Sequence, residues 1–381
     1  MKNLSLLLAI IFTANFACAQ NNSAINNQIQ STILAEAPSE INYTVETVIP
    51  ELAIPWGMAF LPDGSMLVTE KSGELIHFKD GKKTYIDGLP DIYVRGQGGL
   101  LDLELHPDYK NNGWIYFSFA SAEGAGDGGN TAIMRAKLEG NKFVENQLLY
   151  KAGPNSRRGQ HFGSRLEFDN EGYLYFSIGD RGNRDVNPQD ITRDCGKIYR
   201  IHDDGRIPSD NPFVNSPNAK TAIYSYGHRN PQGMVKHPKT GKIWVHEHGP
   251  RGGDEINIIK KGKNFGWPTI SYGINYNGTS FTENTALPKM EQPLFFWVPS
   301  IAPSGMAFVT SDIYPDWKGS LLAGSLKFEY LERVILKGDK VVKREKILDG
   351  LGRIRNVRQG PDGYIYAAVE GKGIIKIMPK K

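Results

Sequence analysis

From residue 42 onward the chain alternates apolar and polar positions in short runs and lacks long stretches of helical period. Leu67-Val68-Thr69, Trp114-Ile115-Tyr116-Phe117, Leu174-Tyr175-Phe176-Ser177-Ile178 and Ile365-Tyr366-Ala367-Ala368-Val369 are rich in β-branched and aromatic residues, as strands on buried pleated surfaces are. Tight turns punctuate them: Pro62-Asp63-Gly64, Pro107-Asp108-Tyr109, Asp169-Asn170-Glu171-Gly172, Pro238-Lys239-Thr240-Gly241, Pro315-Asp316-Trp317 and Pro361-Asp362-Gly363. Proline presets φ at the second turn position, and a following glycine supplies positive φ. An apolar strand precedes each turn, as in Gly57-Met58-Ala59-Phe60 and Gly233-Met234-Val235. Six strand–turn–strand units predict an all-β chain folded as a six-bladed β-propeller. A β-sandwich with chance turns is the alternative, and recurrence along the whole chain favours the propeller. One blade cannot bury its own faces, so residues 42–381 are expected to form one domain, with its chemistry at the mouth of the central channel.

The first residues read differently. Lys2, the apolar run 4–12 and Ala17-Cys18-Ala19 form the pattern of a secretory signal peptide over residues 1–19. This implies export, with a periplasm as the expected destination. Lipid attachment at Cys18 is the second reading, because Asn15-Phe16-Ala17 lacks the usual leucine. Cleavage leaves Cys195 as the one cysteine, so the fold must stand without an internal disulfide. Residues 20–41 are polar and read as a flexible tether.

Composition then narrows the classes. Of 381 residues, 45 are Lys or Arg and 41 Asp or Glu, and a net charge of +4 is too small to argue for a nucleic-acid partner. Hydrophobic residues make up 40% and charged ones 23%, which excludes wholesale disorder. No apolar run reaches the roughly 18 residues of a membrane span. The chain has no H-E-x-x-H, no zinc-spaced Cys/His cluster, no G-x-S-x-G and no G-x-G-x-x-G opening a helix, so redox chemistry here would need a carrier other than a nicotinamide.

Several loops are denser in chemistry than turns require. His161, in Gln160-His161-Phe162-Gly163, precedes one predicted strand, and Asp180, in Gly179-Asp180-Arg181, follows the next. An imidazole with a carboxylate is the usual base-and-orienter pair, and also a common structural hydrogen bond. Arg229, in Gly227-His228-Arg229-Asn230-Pro231-Gln232-Gly233, can polarise a carbonyl, bind an anionic ring or form a surface ion pair. The stretch 247–257 is neither a P-loop nor an EF-hand. Carbonyls of Gly249 and Pro250, with Asp254 and Glu255 near, suit a hard cation such as calcium. Lys327 and the alternating Arg353 and Arg355 can face a channel and bind a polyanion, or can be ordinary blade-surface charges.

At these loops the chain resembles the soluble quinoprotein aldose sugar dehydrogenases, the glucose/sorbosone dehydrogenase family, whose cofactor is pyrroloquinoline quinone (PQQ). The matching stretches include Ile54-Pro55-Trp56-Gly57-Met58, Gly96-Gln97-Gly98-Gly99-Leu100-Leu101, Gly159-Gln160-His161-Phe162-Gly163, Glu247-His248-Gly249-Pro250, Gly253-Asp254-Glu255-Ile256-Asn257, Lys263-Asn264-Phe265-Gly266-Trp267-Pro268 and Arg353-Ile354-Arg355. The family is a six-bladed propeller. The resemblance implies that His161 removes the proton of the sugar's anomeric hydroxyl while hydride passes to C5 of PQQ, with Asp180 supporting the imidazole and Arg229 in the catalytic group. Gln97, Arg229 and Asn230 are then expected to line the substrate and quinone-carbonyl site. Lys327, Arg353 and Arg355 are expected to bind PQQ's carboxylates and quinone oxygens. Tyr276, Ser325, Leu326 and Ile354 join them as cofactor contacts. Carbonyls of Gly249 and Pro250 would hold a calcium ion on the cofactor. Glu255 and the carbonyl of Phe265, which replaces the family's tyrosine, would hold a second, structural one. The implied product is an aldonolactone, and an external acceptor must reoxidise the cofactor. Two rival readings stand beside this one: a calcium-dependent propeller lactonase and a non-catalytic binding propeller.

Overall fold

The computed structural model describes residues 36–38 and 43–380. The signal peptide expected at 1–19, Cys18 and most of the tether expected at 20–41 lie outside the described residues. The strands form six sheets, five of four strands and one of five. The innermost strands of blades 1 to 6 are Pro55–Phe60, Leu100–Leu105, Leu166–Phe168, Pro231–Lys236, Pro303–Phe308 and Ile354–Gln359. Each packs against the next, and the sixth returns to the first, which closes a six-bladed β-propeller.

All six predicted turns join an innermost strand to the second strand of its blade: Met66–Glu70, Trp114–Ser121, Leu174–Ile178, Ile243–Glu247, Leu321–Ser325 and Ile365–Val369. Antiparallel pairing sends each second strand back along the first. The turns therefore share one end of the ring. At the other end lie the residues before the innermost strands, such as Gln97, His161, Arg229 and Arg353. The residues after the second strands, such as Lys71, Asp180, His248, Lys327 and Glu370, lie there too.

Apolar clusters fill the wedges between blades, because the second strands are buried on both faces. Leu67 and Leu75 of blade 1 meet Ile115 and Phe117 of blade 2, and Leu322 and Leu331 of blade 5 meet Ile365 and Ala367 of blade 6. Tyr43–Pro50 closes the ring as the outermost strand of blade 6, antiparallel to Gly373–Pro379. Within the expected tether, Glu36–Pro38 pairs in parallel with Val341–Ile347, covering the otherwise open edge of blade 5.

Five innermost strands carry a register shift near their starts, at Pro55/Gly57, Leu100/Leu103, Pro231/Gly233, Ser304/Met306 and Ile354/Asn356. Bulges bend a strand and leave backbone groups without ladder partners. Arg165 of blade 3 gathers several of these: Nε donates to Gln232 O (2.7 Å), Nη2 to Arg355 O (2.8 Å) and Nη1 to Trp56 O (3.4 Å). Its guanidinium also meets Asp102 Oδ1 (3.3 Å) and Ser304 Oγ (3.3 Å). One side chain thus touches the innermost strands of all five other blades.

Candidate functional site

A cavity of about 800 Å³ opens at the end of the ring opposite the six turns. Gln97, Asn230, Pro250, Tyr276, Leu326, Lys327, Arg353 and Arg355 line it. Residues more than 250 positions apart meet there because each blade contributes its two loops. Ser325 and Ile354 are not among the lining residues. The Ser325 hydroxyl donates to Ile301 O and accepts from Phe328 N, and Ile354 is fully buried in the wedge between blades 5 and 6.

His161 and Asp180 are not themselves among the lining residues; His161 adjoins them, between Gln97, which binds its backbone, and its neighbours Phe162 and Gly163, with its backbone in the left-handed region at φ 58°. A non-glycine residue keeps that conformation only where its surroundings enforce it. Here Gln97 Oε1 accepts the His161 backbone N–H at 2.7 Å. The ring's Nδ1 lies 2.6 Å from Asp180 Oδ1. Asp180 is buried and also accepts from Trp267 Nε1 (2.9 Å) and Gly182 N (2.7 Å). Burial alone would raise the Asp180 carboxyl, but the bond and charge of His161, then Arg229 and Trp267, hold it below its ordinary value. An ionised carboxylate only accepts, so Nδ1 carries the proton and Nε2 is the ring's basic atom. Burial first, and the Arg229 charge second, lower the imidazole's pKa against the opposing pull of Asp180.

Arg229 lies behind this wall. Its Nη1 donates to Gly249 O (2.9 Å) and His248 O (3.1 Å), and its backbone N–H donates to Glu247 Oε2 (2.6 Å). Arg353 and Arg355 reach the same face, although Arg355 is the bulge residue of its strand. Glu370 holds both: its Oε2 accepts Arg353 Nε (2.6 Å) and its Oε1 accepts Arg355 Nε (3.0 Å).

The sequence reading missed Glu370, Trp267, Lys71 and Arg251. Lys71, Arg251, Lys327, Arg353 and Arg355 put five cations on the cavity wall against one carboxylate, Glu370. Asn230 adds a buried Nδ2 without a hydrogen-bond partner among the described residues. The surplus positive charge fits a polyanionic cofactor.

Glu255 and Phe265 line a smaller adjoining cavity together with Glu247 and Gly249. Burial first, and Glu247 second, push the Glu255 carboxyl up to about 8. Asn257 donates from Nδ2 to both carboxylates, at 3.2 Å and 3.1 Å, while its buried Oδ1 has no partner among the described residues. Two carboxylates and an unpartnered amide oxygen are the hard donors a calcium ion takes.

Residues 52–376 match the family model Glucose / Sorbosone dehydrogenase. The chain is 42% identical over 360 residues to the aldose sugar dehydrogenase YliI of Escherichia coli, covering 92% of this chain and 96% of that protein. The crystal structure of the soluble aldose sugar dehydrogenase from Escherichia coli in the apo form superposes with a TM-score of 0.86 at 41% identity, covering 89% of this chain and all of that one. The PQQ-bound aldose sugar dehydrogenase of Streptomyces coelicolor superposes with a TM-score of 0.73 at 28% identity, covering 90% of this chain and all of that one.

Proposed function

The chain belongs to the glucose/sorbosone dehydrogenase family, and on that premise we propose that it oxidises aldose sugars at the anomeric carbon to aldonolactones, using PQQ and passing electrons to an external acceptor. The observation that carries this reading is one imidazole, His161, locked by a buried carboxylate at the edge of a cation-lined cavity. When bound, PQQ supplies an electron-poor ortho-quinone that takes up hydride.

The chain's own residues do the rest. Nε2 of His161 takes the proton of the anomeric hydroxyl, and Asp180 stabilises the imidazolium that forms. Gln97 and Asn230, both on the cavity wall, position the sugar: Gln97 spends its oxygen on His161 N and keeps its amide nitrogen. Arg229 places positive charge beside the imidazole. Lys327, Arg353 and Arg355 bind the cofactor's negative groups, and Glu370 sets the direction of the two guanidiniums. Tyr276 and Leu326 close the cavity wall, while Ser325 and Ile354 act through the backbone that carries the cations. A propeller lactonase would have no use for five cations here.

Calcium would be held by the carbonyls of Gly249 and Pro250 beside the cofactor, and by Glu255, Glu247, the Asn257 oxygen and the Phe265 carbonyl at the structural site. Saturating calcium is expected to raise the melting temperature of cofactor-free protein, with about 2.7 kcal/mol gained at one hundred times Kd. Glu255→Gln is expected to lose most of that gain. Identical melting curves in calcium and in chelator would remove the structural site.

The same reading takes residues 1–19 as an export leader toward a periplasm, 20–41 as a connecting segment and 42–381 as the catalytic domain. Among the described residues no helix is long and apolar enough to cross a membrane. The test of function is reconstitution: purified protein with PQQ and calcium should reduce an artificial dye with a panel of aldoses. Failure to bind PQQ, or binding without turnover of any aldose, contradicts the proposal.

A further inference from the structure

Asp180 orients the imidazole of His161, and its own orientation has a source in another blade. We propose that Trp267 is a positioning residue for His161: its indole N–H fixes the far oxygen of Asp180, and through it the direction in which the imidazole presents Nε2. This role rests on His161 being the base of the proposed reaction.

The two oxygens of Asp180 are not equivalent. Oδ1 takes both the His161 ring (2.6 Å) and Gly182 N (2.7 Å). Oδ2 accepts from Trp267 Nε1 alone among the described residues, at 2.9 Å. Bonds to one oxygen restrain rotation of a carboxylate only in part, and a donor on the second oxygen fixes its plane. An indole N–H only donates, so this contact also favours the ionised carboxylate that His161 needs beside it.

Trp267 is itself held from several sides. It lies in the segment 259–294, which joins strands Asp254–Ile258 and Phe295–Trp297 of blade 4. Its backbone N–H donates to Gly227 O (2.9 Å), and its carbonyl accepts from Gln189 Nε2 (2.8 Å). Gln189 belongs to the loop 179–196 that carries Asp180. Trp267 thus ties that loop to blade 4 twice, once by side chain and once by backbone. Its buried ring packs edge-on against Phe281 with centroids 5.2 Å apart, and the Arg229 guanidinium lies 5.2 Å from its centroid. Trp267 lines the smaller cavity and not the large one, so it acts on the sugar only through Asp180 and His161.

Trp267→Phe keeps a ring and deletes the donor, leaving Oδ2 buried and unpaired. Burial raises the Asp180 carboxyl, and the bonds to His161 and Trp267 are among the interactions that bring it down. Without the indole, Asp180 holds the imidazolium more strongly, and His161 protonates at a higher pH. The other charged or titratable groups that face the pair, Arg229, Arg181 and the His248 imidazole, are untouched by the substitution.

Two readouts test this. In the cofactor-free protein the His161 ring resonance, assigned by its loss in His161→Ala, is followed by NMR against pH. It is expected to titrate below the ordinary imidazole value in the native protein, where burial and the Arg229 charge hold it, and at a higher pH in Trp267→Phe. The Trp267 Nε1–H resonance of the native protein is expected to shift with the same midpoint as the His161 ring. In the PQQ-loaded protein, Trp267→Phe is expected to lower kcat by up to about 10²-fold, the cost of a small misplacement of a reacting group, with KM and cofactor affinity nearly unchanged. An unchanged His161 midpoint in Trp267→Phe, or an indole resonance that ignores the titration, overturns the positioning role and leaves His161 as the base. Native PQQ-loaded protein without aldose turnover overturns the proposed function instead, and the NMR midpoints still decide what Trp267 does to the pair. Should Trp267→Phe fail to fold, the indole resonance of the native protein decides.

Discussion

Replacing His161 by alanine is expected to cut turnover of the PQQ-loaded protein by about 10²- to 10⁴-fold, the range that a positioned base contributes. Cofactor affinity should stay nearly unchanged, because the five cations that line the cavity lie on other loops. The pH dependence gives a second readout. As the proposed base, His161 would act only when unprotonated, and burial together with the Arg229 charge holds its pKa below the ordinary imidazole value. The base form therefore dominates at neutral pH, and the rate falls only as pH drops through that lowered value. Arg229→Gln removes one of the lowering charges, so its acid limb should move upward. In His161→Ala the limb should vanish with the activity. A His161→Ala protein with near-normal turnover removes this imidazole from the mechanism.

Arg165→Met is expected to destabilise the fold by about 3–5 kcal/mol, the cost of breaking a buried ion pair by removing one partner. The guanidinium is buried and faces Asp102, which is itself 1% exposed. Methionine fills much of the volume but satisfies none of the oxygens of Trp56, Gln232, Arg355 and Ser304. Each buried group left unpaired adds to the loss. Asp102 would also keep only the Leu166 N–H (3.0 Å) and the more distant Arg358 as partners for its charge. Denaturant midpoints with unchanged m-values measure this directly. A loss below about 1 kcal/mol would mean that water or Arg358, 3.9 Å from Asp102, replaces the contact.

The blade count was legible because proline and glycine act locally. Pro62-Asp63-Gly64 and Pro361-Asp362-Gly363 announce turns whatever surrounds them, and all six turns fall at the same place in their blades. Long-range consequences of the ring were not legible. Arg165 reads in sequence as an ordinary charge beside a strand, and nothing local says that five other blades converge on it. The bulge at Arg355 broke the simple alternation expected of Arg353 and Arg355, and Glu370 restored their common direction. Glu370 could have been found by register, since it follows the second strand of its blade as Asp180 and Lys327 nearly do in theirs. Trp267 lay inside a stretch already singled out, but its partner Asp180 is 87 residues away. The tether was read from composition alone, and composition cannot foresee that Glu36–Pro38 finds an open sheet edge.

The measurement that bears most directly on the function is a crystal structure of the protein soaked with PQQ and calcium. The expected map shows the tricyclic dione in the large cavity, its carboxylates against Lys327, Arg353 and Arg355, with the His161 ring beside it. An empty cavity at saturating cofactor, or a dione bound away from His161, would contradict the proposed chemistry.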